Sequence, residues 1–302
     1  MPAQIITLQF PQPKKRISVV MVSYMTGPAL QEAVRAVVND PDIFELILVD
    51  NGNTEPARLR LNDYIVKHDR IRILQGHGNI GFACGCNYGA KLARGDHFLF
   101  LNPDAIIERG AARKLADAGE LRAEPWIAGG MLRDIFGREQ RGARRGAVTP
   151  VSAIVSFTPL HRLTALKSIH RENEPMPKAT ETMPVVSGAC LMMSRESFDK
   201  LGGFDENYFL HVEDIDVCRR AWKAGGDVIF VPSAQVMHYG STSLARPQDV
   251  EGWKLYGFIR YFWNYSDKWW ARLLTALAIP FMCAGIMGRA WYLAIRKAIR
   301  GG

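Results

Sequence analysis

The feature that most constrains this chain is an alternation in its first hundred residues. Four short apolar runs, at 17–23, 46–50, 71–74 and 97–101, are separated by helical patterns at about 28–38, 55–68 and 82–93. Strands alternating with helices in this way predict a parallel α/β sheet. The runs are apolar throughout, as in Ile17-Ser18-Val19-Val20-Met21-Val22-Ser23, which suits strands covered on both faces. In such sheets ligands sit beyond the carboxyl ends of the strands. Those ends carry polar groups here: Ser23, Asp50-Asn51 and Asn102-Pro103-Asp104.

Regular structure is expected again at 185–193, in a helix at about 194–201, in a second helix at about 213–224 and in a strand at 228–231. Between these halves, residues 133–172 read as an irregular basic insertion. Arg133, Arg138, Arg141, Arg144, Arg145, Arg162, Lys167 and Arg171 face only Asp134, Glu139 and Glu172. Such a stretch is either a solvated surface loop or one that meets phosphate. The 302 residues are 48% hydrophobic and 23% charged, which excludes disorder over most of the length. Five cysteines with no Cys-x-x-Cys pair argue against a disulfide scaffold or a structural zinc, and for a reducing compartment. Residues 1–10 lack the pattern of a secretory signal.

Three places carry candidate chemistry. Gly76-His77-Gly78-Asn79-Ile80-Gly81 matches the spacing of a dinucleotide fingerprint between a strand and a helix. Two strands precede it, and Asp96 stands at a poor distance for a ribose acid. The alternatives are a tight turn or a nucleotide-contacting loop of another kind, with an NAD(P)-dependent oxidoreductase as the rival enzyme class. Asp104 leaves a carboxylate at the sheet rim, suited to a helix-type cap or to a divalent metal bridging phosphates. Glu213, Asp214 and Asp216 crowd one helix start, where the dipole favours acids. Asp214 and Asp216 lie about 200° apart around that helix, so they serve different directions. His238, after a strand, is suited to complete a metal site.

The ordered set Val22-Ser23-Tyr24, Val49-Asp50-Asn51-Gly52, Asn79 through Gly89, Leu101-Asn102-Pro103-Asp104, Ser187-Gly188-Ala189, Glu213-Asp214-x-Asp216 and His238 resembles glycosyltransferase family 2, in its bacterial rhamnosyltransferase-like branch. The likeness covers about residues 16–245. It implies a GT-A nucleotide-diphospho-sugar transferase fold, a mostly parallel sheet flanked by helices, over 1–245. It also implies an inverting, metal-dependent hexosyltransferase. The implied substrates are dTDP-rhamnose and a lipid-linked glycan in cell-surface polysaccharide synthesis, with UDP-linked galactose, galactofuranose or N-acetylglucosamine as the alternative donor. By this likeness Asp214 is the general base. Ser23, Tyr24, Asp50, Asn51, Asn79, Gly81, Asn87 and Asp104 meet the donor. Ser187, Gly188, Glu213 and Asp216 lie on the acceptor side, and Asp104 and His238 hold Mg²⁺ or Mn²⁺. Asn102 departs from the family's Asp-x-Asp pattern, which removes one carboxylate from the metal site.

The last fifty residues differ from the rest. From Trp253 onward there are eight basic residues and one acid, a net +7, and five of the seven tryptophans. Residues 273–288 are an uncharged run of 16, marginal for a spanning helix. Tyr256, Phe258, Tyr261, Phe262, Trp263, Tyr265, Trp269 and Trp270 crowd ahead of it, and Trp and Tyr favour the headgroup level. Amphipathic helices over 246–302 that associate with an anionic membrane are expected, with packing in the core, a dimer contact or a true span as alternatives. The expected place is the cytoplasmic face of the bacterial inner membrane, as a peripheral protein. Nucleic acid is not an expected partner.

Overall fold

The structure is a computed structural model and describes residues 15–65, 68–157, 169–240, 242–266 and 268–300. The chain's first ten residues, Arg162, Lys167 and Asp267, the one acid after Trp253, lie outside that set.

Strands β1 (Ile17–Ser23), β2 (Ile43–Asp50), β3 (Ile71–Leu74) and β4 (His97–Leu101) run parallel in the order β3-β2-β1-β4. Every residue of β1 is buried, because helices cover both faces. Ile17, Val19 and Met21 pack with Leu30, Val34 and Val37 of α1 (Ala29–Val38). Val20 and Val22 pack on the other face with Ala83, Cys86 and Ala90 of α3 (Phe82–Leu92). Helix α2 (Glu55–Ile65) lies between β2 and β3 in the chain. A side-chain carbon at Gly85 or Gly89 would stand 2.8 or 2.5 Å from a methyl of Val22 or Val20. These two glycines therefore set how closely α3 approaches β1.

The second half extends the sheet. Strand β10 (Cys190–Ser194) inserts antiparallel between β4 and β6 (Trp126–Arg133), and β11 (Asp227–His238) runs parallel to β6. Strand β5 (Ala105–Ile107) pairs antiparallel with the end of β11, and β8 (Glu181–Thr182) with its beginning. Helix α4 (Ala111–Glu120) packs on β6, β10 and β11. Helix α6 (Arg195–Leu201) starts at Ser194, whose hydroxyl accepts from the Ser197 amide at 2.8 Å. Helix α7 (Glu213–Lys223) carries the acidic cluster.

The sheet is mostly parallel, as expected, and the predicted strands and helices stand within a few residues of their places. Two differences matter. Strand β11 is much longer than 228–231 and continues past a register irregularity between Val231 and Gln235, so that it delivers His238 to the rim. The basic insertion, in its described residues, holds more regular structure than expected. Arg133 ends β6, β7 (Arg144–Arg145) pairs with β9 (Val185–Val186), and α5 (Pro150–Phe157) follows.

At the end of the chain, α8 (Pro247–Asn264) and α9 (Trp269–Arg300) pack against each other, and α9 also against α5. Phe258, Tyr261 and Phe262 of α8 share one buried cluster with Phe204, Tyr208, Val212 and Ile215. The boundary near 245 therefore divides two sequence patterns within one packed core. Among the described residues, one helix is long and apolar enough to cross a membrane, Trp269–Gly288 of α9. Its outward side carries Leu273, Leu274, Leu277 and Phe281, each more than half exposed.

Candidate active site

Three clusters gather at the carboxyl rim of the sheet. The first lies beyond β1 and β2. Asp50 Oδ1 accepts from the Gly52 and Asn53 amides at 3.0 and 2.7 Å and from Asn53 Nδ2 at 2.8 Å. Asn53 Nδ2 also donates to Ser23 Oγ at 2.8 Å. Asn51 fixes the glycine-rich loop: its Nδ2 donates to the Gly81 carbonyl at 2.9 Å, and its Oδ1 lies 3.1 Å from His77 Nε2. Asn79 Oδ1 accepts from the Gly81 amide at 3.1 Å. Gly81 has φ 87°, and a side-chain carbon there would meet the Phe209 carbonyl at 2.8 Å. This is a turn welded by side chains to the end of β2, and it follows the third strand. Tyr24 stands beside Gly52 at the open edge of the cluster.

Of the expected donor residues, Asp104 belongs to the second cluster and Asn87 to neither. Its amide is buried, with Oδ1 accepting from the Phe204 N–H and Nδ2 donating to the Phe204 carbonyl, both at 2.9 Å. It ties α3 to the 204–206 turn and presents nothing to a ligand.

The second cluster is built by β11 and the turn after β4. His238 Nε2 lies 3.0 Å from Asp104 Oδ1 and 3.3 Å from Asn102 Nδ2. His238 Nδ1 lies 2.5 Å from Gln140 Oε1, and Thr242 Oγ1 donates to Asp104 Oδ2 at 3.0 Å. Burial raises the proton affinity of Asp104, but His238 and Thr242 outweigh it and hold the carboxyl below its ordinary range. Gln140 at Nδ1 and Asp104 at Nε2 hold the ring in place, so an imidazole nitrogen and a carboxylate oxygen lie side by side at the rim. That donor set, imidazole nitrogen plus carboxylate with a polar outer partner, is one that Mg²⁺ or Mn²⁺ accepts. The segment after His238 then reaches the first cluster, where Ser243 Oγ donates to the Tyr24 carbonyl at 3.2 Å.

The third cluster is the start of α7. His211 and Val212, immediately before it, both have left-handed backbone, φ 68° and 73°. For a β-branched residue this is a strained conformation, held by its surroundings. It turns three acids into three environments. Asp214 is buried and paired with Arg145, and its Oδ2 also accepts from the Gly188 amide at 2.9 Å. Burial raises its proton affinity, and Arg145 reverses that, leaving it below the ordinary value. Glu213 is 5% exposed, and its Oε2 has no hydrogen-bond partner among the described residues. Burial, then the neighbouring Asp214 charge, pushes Glu213 up to about 8.

Asp216, expected on the acceptor side, faces the other way. Its Oδ1 accepts from Tyr265 at 2.8 Å and its Oδ2 from Arg220 Nε at 2.7 Å. The 200° offset from Asp214 sends it into α8. Ser187 Oγ accepts from the Ala189 amide at 3.3 Å, in the turn that delivers Gly188 to Asp214. Reasoning from sequence alone did not find Asn53, His77, Gln140 or Arg145 as individual partners.

An α/β sheet of this order, with its polar clusters at the rim of β1, β2, β4 and β11, is the GT-A glycosyltransferase fold. The chain shares it with GalNAc-T7, solved with UDP, GalNAc and Mn²⁺, at TM-score 0.61 and 18% identity, covering 83% of this chain and 49% of that one. A mannosyltransferase from Pyrobaculum calidifontis, solved with GDP-Man and Mn²⁺, matches at TM-score 0.56 and 15% identity over 95% of this chain and 81% of its own. Residues 18–202 match the model for Glycosyl transferase family 2, and 175–295 that for Glycosyl transferase family group 2. The chain belongs to glycosyltransferase family 2, and the oxidoreductase reading of the glycine-rich loop falls away with that assignment. It is 28% identical, over 76% of its length and 78% of the relative's, to the N-acetylglucosaminyl-diphospho-decaprenol L-rhamnosyltransferase of Mycobacterium tuberculosis.

Proposed function

We propose that this chain transfers a sugar with inversion from a nucleotide diphosphosugar, dTDP-rhamnose being the favoured donor, to a lipid-linked glycan. The observation that carries the reading is the segment 139–145, which touches two clusters at once. Gln140 holds His238, and Arg145, five residues on, holds Asp214. Five residues span at most about 17 Å, so the Asp104–His238 pair and Asp214 are near neighbours at the rim, which supports reading them as parts of one cleft. The resemblance to a rhamnosyltransferase that acts on a diphospho-polyprenol supports the choice of sugar and acceptor.

Each cluster then has a task. Ser23, Tyr24 and Asp50, with the loop that Asn51, Asn79 and Gly81 hold in place, receive the nucleoside. Asp104 and His238 hold Mg²⁺ or Mn²⁺, which when bound neutralises the diphosphate. Asp214 accepts the proton of the acceptor hydroxyl. The freed oxygen pair forms the new bond to the anomeric carbon, and the pair of the broken carbon–oxygen bond leaves on the diphosphate. Gly188 directs the Asp214 carboxylate through its amide.

A thermal-shift panel of dTDP-, UDP- and GDP-sugars and NAD(P)H, with and without Mn²⁺, tests the reading. A ligand at a hundred times its Kd stabilises by about 2.7 kcal/mol. The largest shift is expected with dTDP-rhamnose and Mn²⁺. A larger shift with a UDP-sugar would move the donor assignment, as the UDP-bound neighbour suggests. A shift with NAD(P)H alone would overturn the reading. Asp214→Asn is expected to lower turnover by roughly 10²–10⁴-fold with donor affinity nearly unchanged. Near-normal turnover would remove Asp214 as the base.

For the C-terminal segment, 246–302, the proposal is association with the membrane that carries the acceptor, with α9 as the part that meets lipid.

A further inference from the structure

Two adjacent acids at the start of α7 are buried to nearly the same degree, yet they are solvated differently by the protein. Asp214, 8% exposed, accepts from both terminal nitrogens of Arg145, with Nη1 to Oδ1 at 3.4 Å and Nη2 to Oδ2 closer. It accepts also from the amides of Gly188 at 2.9 Å and Ile215 at 2.8 Å. Glu213, 5% exposed, has a carboxyl oxygen with no partner among the described residues. Two ionised carboxylates side by side without water repel each other, and each also loses hydration. Such a site favours one negative charge over two.

Arg145 does not reach this place by chance of a loose side chain. It sits in β7, where successive residues point to opposite sides. Its neighbour Arg144, 2% exposed, forms a two-pronged pair with Glu139, Nε to Oε1 at 2.7 Å and Nη2 to Oε2 at 2.8 Å. Arg144 also donates to the carbonyls of Arg171 and Glu174, both at 3.0 Å. One arginine thus anchors the strand, and the next, Arg145, 12% exposed at its side chain, is aimed at Asp214. Arg145 Nε is occupied by the Gly142 carbonyl at 3.1 Å, which further fixes the direction of the fork.

We propose that Arg145 is a positioning residue that fixes the single negative charge of the Glu213–Asp214 pair on Asp214, so that the general base is unprotonated when the acceptor arrives. The inference rests on Asp214 being the base. Glu213 supplies the internal comparison, because it is buried to nearly the same degree and lacks the two-pronged pair with Arg145. The arrangement has a second consequence during transfer. When Asp214 takes the acceptor's proton it becomes neutral, and the charge of Arg145 is left uncompensated in the cleft while negative charge grows on the departing diphosphate. The other charged or titratable groups around Asp214 are His211 before the helix and Glu213, Asp216 and Cys218 on it. Arg145 is the group that makes a two-pronged pair with the carboxylate.

The test is a carboxyl ¹³C NMR titration of aspartate-labelled full-length protein, with Asp214→Asn used to assign the resonance. In the unaltered chain the Asp214 signal is expected to titrate below the ordinary aspartate value of about 3.9. In Arg145→Gln it is expected to rise by at least about two pH units, in the direction Glu213 already shows. Arg145→Lys keeps the charge but not the fork, and an intermediate value is expected. Should Arg145→Gln fail to fold, the Arg145→Lys titration decides alone. The acid limb of kcat/KM, measured with dTDP-rhamnose and a diphospho-polyprenol acceptor, should follow the same order, with Arg145→Gln recovering at least tenfold on the alkaline side. An unmoved Asp214 resonance in the Arg145 variants overturns the proposal. A resonance that moves while Asp214→Asn retains turnover leaves the electrostatic role intact and overturns the choice of base instead.

Discussion

Glu213 and Asp214 show how one helix turn sets opposite proton affinities in neighbouring acids, and the difference is measurable as stability. Glu213 holds its proton to about 8 when folded and releases it near the ordinary carboxyl value when unfolded. Between those values the folded chain binds the extra proton, so stability falls as pH rises through that window. The melting temperature of the full chain is expected to decline from about pH 5 to about pH 8, and Glu213→Gln should flatten that decline. An equal decline in the variant would place the cause elsewhere. At the other cluster, Asp104→Ala is expected to abolish the gain in donor affinity that Mn²⁺ provides. His238→Ala should reduce it less, because an imidazole brings no negative charge. Isothermal titration with and without Mn²⁺ measures both, and full activity in EDTA would defeat the metal assignment. Asp104, Asp214 and His238 could be picked out from sequence because each stands at a recognisable strand end or helix start. Gln140 and Arg145 could not. Their partners lie 98 and 69 residues away, and no local pattern records such a pairing.

At the scale of elements, α3 shows a motif whose reason is packing. Gly89→Ala would place a carbon 2.5 Å from a Val20 methyl and 3.2 Å from a Val49 methyl. Alanine gains up to about 1 kcal/mol of helix propensity over glycine, but overpacking a filled core costs typically about 1–3 kcal/mol. A net loss of stability is therefore expected in urea denaturation, and a more stable variant would show that α3 can move off the sheet. The strands β1 to β4 were legible because continuous apolar runs leave few other structures open to them. Strands β5 and β6 and helix α4 were not. Strand β6 contains Gly129 and Gly130, poor strand formers, which are required because Val186 and the Ala234 carbonyl press against them. That requirement comes from chain more than fifty residues away. The basic insertion was read as irregular for the same kind of reason, since β7 is two residues long and is made by pairing with β9, about forty residues on.

At the scale of the whole molecule, the C-terminal helices join the catalytic core to the proposed membrane contact. Leu274, Leu277 and Phe281 are 52, 60 and 63% exposed on α9. Replacing all three with serine is expected to leave folding nearly unchanged, since exposed positions usually matter by less than about 0.5 kcal/mol each. It should release the protein from anionic vesicles. Raised salt should weaken binding of the unaltered chain without abolishing it, because basic residues contribute about 1 kcal/mol each near such a surface and only that part is screened. Unchanged vesicle binding of the triple variant in a flotation assay would send the apolar face of α9 to another partner. Helix α7 is gripped on opposite sides. Asp216 is held by Tyr265 at the end of α8, and Asp214 is held by Arg145 across the helix. A carboxylate roughly 6 Å from a helix axis moves about 2 Å when the helix turns by about 20°. Neither grip survives such a turn, so α7 behaves as a shaft keyed at both ends of its diameter. Under the proposed lipid contact and the proposed base, a shift of α8 would therefore reach the Asp214 carboxylate through α7 as a change in its alignment.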